Sequence, residues 1–226
     1  MPRLGFGPRR IYLVGGDESG AGVISTVRAY DPALDSWCEV ASMATERYLH
    51  GAAALDGKLY AMGGWDAGDN KLAKAEVYDP RVDGWQPLPS MPTARRDLAA
   101  VAVAGKVYAI GGTSDGSPEG SDGSVEAYDP FSGLWSQAAS LPVARESLTA
   151  AVVDGKIYVV GGEIDDDEDE AVGTDRVDMY DPAADSWQQM AAMPTPRDSH
   201  AAAVLDGKIY VTGGLLHAGV FSDALE

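Results

Sequence analysis

A chain of 226 residues and 23.6 kDa, 45% hydrophobic, is long and apolar enough for one substantial globular domain, which excludes a disordered chain. Its 35 acidic residues against 17 basic give a formal charge of −18, which removes the electrostatic footing for nucleic acid or an anionic membrane. Cys38 is the only cysteine, so an internal disulfide is excluded, and the expectation is a cytoplasmic protein.

Residues 1–9 read as a leader: MPRLGFGPR starts basic but has no apolar stretch behind it, unlike a secretion signal, and no later run is long enough to span a membrane. From residue 10 to 226 one pattern recurs. Strand-like runs end in glycine pairs at Gly15–Gly16, Gly63–Gly64, Gly111–Gly112, Gly161–Gly162 and Gly213–Gly214. Tyr-Asp-Pro follows at Tyr30, Tyr78, Tyr128 and Tyr180, with a tryptophan seven residues later at Trp37, Trp85, Trp135 and Trp187. Each tryptophan stands 26 residues before the next glycine pair, whereas glycine pair to tyrosine takes 15, 15, 17 and 19. Length variation is therefore confined to one connection, as in a rigid unit with one tolerant loop. The units run approximately 10–43, 44–91, 92–141, 142–193 and 194–226.

Each complete unit predicts four short strands. Arg47, Arg95, Arg145 and Arg197 stand sixteen residues before the glycine pairs, and one arginine per unit implies a framework role. A first strand follows as GAAAL, AAVAV, TAAVV or AAAVL, small and β-branched, and is expected to be fully buried. Asp56–Gly57, Ala104–Gly105, Asp154–Gly155 and Asp206–Gly207 supply tight hairpin turns into a lysine-led second strand that ends at the glycine pair. The third strand reads VRAY, AEVY, VEAY or VDMY and stops at proline. The fourth surrounds the tryptophan, whose indole is expected to plug the space between adjacent sheets. Helical periodicity is absent, so the fold class is all-β.

Glycine doublet, tyrosine and tryptophan at these spacings resemble the kelch-repeat β-propellers, over nearly the whole chain. The resemblance implies wedge-like blades of four antiparallel strands about a common axis. Three blades are full and the two terminal ones incomplete, as in an incomplete ring or a fragment of a longer array, because kelch propellers usually close with six or seven blades. Open strand edges would favour self-association.

In this family partners bind loops on one face, those linking second to third strand and those leading into the first. Register places Asp17, Trp65, Thr113, Glu163 and Leu215 in the first set and Tyr48, Arg96, Glu146 and Asp198 in the second, backed by Asp97, Ser147 and Ser199. The framework repeats while these positions vary, which suits an asymmetric recognition surface on a symmetric scaffold. The longest loop carries Asp165-Asp166-Asp167-Glu168-Asp169-Glu170, a solvated run that would attract a basic peptide and lacks the spaced oxygens of a calcium loop.

Catalytic signals are thin. His50 and His200 share a position held by Leu98 and Leu148 in other units, so they read as buried structural side chains; His217 stands apart, and Cys38 has no neighbouring base. Neither a zinc-spaced Cys/His cluster nor a Ser/His/Asp set is present, and neither metal nor cofactor is expected. The resemblance implies a protein-interaction module, as in the substrate-recognition domains of cullin-RING ubiquitin-ligase adaptors, although the BTB and BACK domains of those adaptors are not in this sequence. Its alternative is a sugar-acting propeller enzyme similar to sialic-acid mutarotases, with Glu146 or Asp198 as the acid/base group.

Overall fold

The computed structural model describes residues 10–115, 120–165, 171–216, 220–222 and 224–225. Its elements are strands throughout, and they assemble as a succession of small antiparallel sheets. Blade I has three strands, Ile11–Glu18, Gly22–Asp31 and Ser36–Val40. Blade II is four-stranded in sequential order: Gly51–Leu55, Lys58–Met62, Ala75–Asp79 and Gly84–Leu88. Blade III repeats this with Ala99–Val103, Lys106–Ile110, Val125–Asp129 and Leu134–Ala138. Blade IV does so with Thr149–Val153, Lys156–Val160, Val177–Asp181 and Ser186–Gln189. Blade V pairs Ala201–Leu205 with Lys208–Thr212. These are kelch-type blades. Among the described residues no helix is long and apolar enough to cross a membrane.

Local chemistry explains each corner. The Asp-Gly hairpins hold both central residues at positive φ, for example Asp56 at 51° and Gly57 at 75°, the conformation a two-residue turn between twisted strands requires. At the opposite hairpin, Asp79 Oδ1 accepts the Arg81 N–H and Asp181 Oδ1 the Ala183 N–H, closing the turn that proline begins. The seven-residue spacing follows from register: Tyr78 stands opposite Trp85, Tyr128 opposite Trp135 and Tyr180 opposite Trp187. At the glycine pairs a side chain has no room. A β-carbon on Gly63 would lie 2.7 Å from the Arg95 carbonyl oxygen, and Gly63 itself sits at φ 65°.

Innermost strands of successive blades are neighbours, so a β-carbon on Gly51 would come within 2.7 Å of that of Ala100. Between blades lie apolar layers such as Val101, Tyr108, Ile110, Val125, Ile157 and Tyr180. Polar groups pin the seams between blades I and II and between III and IV twice, and that between II and III once, since Gly133 takes the aspartate position there. The indole N–H of Trp85 donates to the Ala41 carbonyl, that of Trp135 to Pro89 and that of Trp187 to Ala139. Asp83 and Asp185 each accept a tyrosine hydroxyl of their own blade and a backbone N–H of the preceding unit. Tryptophan is thus both plug and hydrogen-bond anchor. Trp37 has no unit before it among the described residues and is 49% exposed.

The repeated arginines are framework residues: Arg47, Arg95, Arg145 and Arg197 are all 0% exposed. Arg47 donates to the Gly63 and Lys74 carbonyls and pairs with Glu76 at 2.8 Å. Arg95 and Arg145 repeat this with Glu126 at 2.7 Å and Asp178 at 2.8 Å. Burial lowers the affinity of the Arg47 and Arg145 guanidinium groups for their protons, and the facing carboxylates oppose that shift.

One expectation needs correction. The first strand is not fully buried even where both neighbouring blades supply an inner strand: Ala99–Val103 alternates buried and half-buried residues, and Thr149–Val153 buries only Ala151. In blade II, Ala52 and Ala54 are exposed, with no inner strand of blade I among the described residues to cover them, and in blade V Ala201, Ala203 and Leu205 are exposed on the outer face of the arc. Leu205 at 61% and Ile11 at 57% exposure mark the two uncovered end faces. A cavity of about 310 Å³ opens on the blade I end, lined by Leu13, Ile24, Thr26 and Arg28.

Candidate functional site

Antiparallel hairpins force the Asp-Gly and Asp-Pro turns to one end of every blade. The loops that follow the glycine pairs share the other end with the segments leading into each first strand. Backbone bridges knit these two loop sets together, pairing Tyr48 with Trp65, Arg96 with Thr113, Glu146 with Glu163 and Asp198 with Leu215. Eight of the nine residues expected at this face are therefore brought together in pairs. Asp17 is not: it pairs with Val23 within blade I and stands exposed at the rim.

A second set of bonds runs around the inner rim. Asp97 N–H donates to the Leu49 carbonyl, Ser147 to Asp97, and Ser199 to Ser147. All four residues sit at positive φ near 50°. This staircase sets the height of each neighbouring entrance residue by main-chain bonding alone.

The aromatic end is a stack. Tyr48 and Trp65 lie parallel, with centroids 6.0 Å apart and planes 5° apart, and the Arg96 guanidinium covers the indole at 4.4 Å. Trp65 thereby has an aromatic and a cationic neighbour against its ring, and its indole nitrogen is shielded without a hydrogen-bond partner. Arg96 pairs with Asp97 and lies 3.9 Å from Glu146, whose carboxylate accepts the Thr113 hydroxyl. Burial pushes the Asp97 carboxyl up, Arg96 pulls it down, and the Glu146 charge pushes it up again. Further round the arc the face becomes acidic through Glu163 and Asp198 and then apolar at Leu215.

Sequence reasoning missed Lys71 and Ser121. Lys71 bridges Trp65 and reaches Asp115 at 2.8 Å, while Ser121 bridges Thr113. Both begin the return toward a third strand, within the variable-length loop, where repeat register gives no fixed offset. Most of the acidic run, residues 166–170, and His217 lie outside the described residues; the hairpin carrying the run is described at its base, where Glu163 faces Gly173. His50 and His200 sit behind the face as expected. Burial lowers their pKa to about 3 and about 4, with the nearby positive charges of Arg47 and Arg197 adding to it, and His200 contacts the Thr149 hydroxyl at 2.8 Å. Among the described residues no group of three or more His, Cys, Asp or Glu is arranged to hold a metal ion.

The KLHDC2/KLHL20/DRC7 Kelch-repeats domain profile matches residues 6–214. Kelch-like protein 15 of Danio rerio is 43% identical over 56 residues, 25% of this chain and 9% of that protein. Kelch-like protein 7 of Gallus gallus is 51% identical over 39 residues, 17% of this chain and 7% of that protein. The matched segments thus span less than a tenth of these relatives' length. The solved structure of YjhT superposes with a TM-score of 0.81 at 14% identity, covering 96% of this chain and 77% of that one, a likeness of fold.

Proposed function

Since the chain belongs to the KLHDC2/KLHL20/DRC7 family of kelch-repeat domains, we propose that it is a protein-interaction module that recognises a partner through the loop face. The observation that carries this is the contrast between constant backbone pairing and changing side chains. Four equivalent bridges present Tyr48–Trp65, Arg96–Thr113, Glu146–Glu163 and Asp198–Leu215 in turn, from aromatic to cationic to acidic to apolar. Such a graded surface distinguishes partners by chemistry at each step. A role as substrate receptor in a ubiquitin ligase is the finer form of the reading, and it comes from the resemblance to the kelch domains of ligase adaptors.

Affinity capture with the wild type, a face variant (Tyr48→Ala with Glu146→Ala) and an opposite-end variant (Arg81→Ala with Phe131→Ala) tests it. Proteins retained by the wild type and the opposite-end variant, and lost by the face variant, are the expected result. An identical set from all three would overturn the assignment of the face. Recovery of cullin-complex subunits in the captured set tests the ligase role.

A further inference from the structure

At the turn end of the blades, away from the loop face, a cleft of about 160 Å³ opens between blades III and IV. Its lining includes Lys106, Tyr108, Ser136, Gln137, Tyr180 and Asp185. Side-chain size accounts for the opening. Ala127 and Ala138 occupy the register positions that Val77 and Leu88 hold in blade II, where both pack into the seam with blade III. The smaller pair leaves space that the neighbouring seam fills.

Three polar groups of the lining keep bonding capacity in hand. Lys58 and Lys156 each hold the aspartate that ends the third strand of their blade, Asp79 and Asp181. Lys106 is their counterpart in blade III, and among the described residues it has no ion pair. Asp185 accepts the Tyr180 hydroxyl and the Ala139 N–H on Oδ1, which leaves Oδ2 without a hydrogen bond. Those two donors hold its carboxyl below the usual carboxylate range, so the group is ionised. Tyr108 is 5% exposed, and its hydroxyl has no hydrogen-bond partner among the described residues. Burial, and then the Asp185 charge, push that hydroxyl up, so it keeps its proton and can donate.

Charge decides what such a cleft takes. A chain of formal charge −18 repels a simple carboxylate, and Lys106 repels a simple amine. A molecule bearing both charges, with no net charge, meets neither objection. Size is the second filter: 160 Å³ is the share of about five waters, which limits the ligand to about six heavy atoms.

We propose that the cleft between blades III and IV binds a small α-amino acid, with its carboxylate on Lys106 Nζ and its ammonium on Asp185 Oδ2. The Tyr108 hydroxyl donates a further hydrogen bond to the bound carboxylate. The cleft lies at the other end of the blades from the loop face, so it stands or falls separately from the reading of that face.

The test titrates the full chain with L-alanine, N-acetylalanine and alaninamide, followed by backbone amide NMR at Lys106, Gln137 and Asp185. Each of the two controls lacks one charge of the zwitterion. L-alanine should bind at least about tenfold tighter than either, a factor that corresponds to about 1.4 kcal/mol. Lys106→Gln should remove that preference. Ala138→Leu, which introduces the blade II side chain, should abolish binding while Tm is unchanged or raised; if it lowers Tm, Lys106→Gln decides alone. The proposal is overturned by the absence of a saturable shift with L-alanine, by equal binding of the three compounds, or by a preference that survives Lys106→Gln.

Discussion

His50 and His200 show how a single side chain can fit a leucine position and still leave a chemical signature. Burial lowers their pKa to about 3 and about 4, whereas an unfolded chain protonates histidine near 6.5. Below that pH the unfolded state binds protons that the folded state refuses, so stability falls as acidity rises. Each histidine contributes a slope of up to about 1.4 kcal/mol per pH unit, beginning near pH 6.5. His50→Leu and His200→Leu, matching Leu98 and Leu148, should each flatten the fall in urea midpoint between neutral and mildly acidic pH. A wild-type slope retained in both variants would contradict the burial argument. The arginines were legible from their fixed offset, but their counter-ions were not. Glu76, Glu126 and Asp178 all stand two residues before the repeat tyrosine; Arg28 in blade I breaks that column and hides it.

At the level of the element, turn chemistry was the most readable part of the sequence because one dipeptide dictates the backbone. The exception within the column is instructive. Ala104 adopts φ 51° in the blade III hairpin, the same conformation as Asp56, Asp154 and Asp206, without their tolerance for it. Ala104→Asp should therefore raise stability by roughly 0.5–1 kcal/mol, measured by chemical denaturation. A destabilised variant would mean that the aspartates serve another purpose. First strands were less readable. Their small residues announce crowding, but which alanines meet a neighbour depends on whether the next sheet has an inner strand, and that is a property of the arrangement. The Tyr48–Trp65–Arg96 stack was equally out of reach. Register placed the three near one another, while the stacking of Tyr48 and Arg96 against the indole depends on side-chain conformations that spacing does not encode.

For the molecule as a whole, the described residues bury apolar layers at each internal seam of the arc and leave apolar side chains exposed on its two end faces. Ile11 and Leu13 at one end and Val204, Leu205 and Phe221 at the other present the side chains that internal seams hide. Exposed apolar faces beside unpaired strand edges favour association. Sedimentation velocity across a wide concentration range should show the average sedimentation coefficient rising with concentration, and Leu205→Lys should suppress the rise. A concentration-independent monomer would count against it. The loop-face variant, Tyr48→Ala with Glu146→Ala, should leave this behaviour unchanged, because the loop face and the end faces are separate surfaces.

The staircase from Leu49 through Asp97 and Ser147 to Ser199 has a consequence for how such a protein diversifies. Main-chain bonds fix where each entrance residue stands, so the identity of its side chain is free to drift without moving its neighbours. New clients can be acquired one substitution at a time, with the folding problem already solved beneath them.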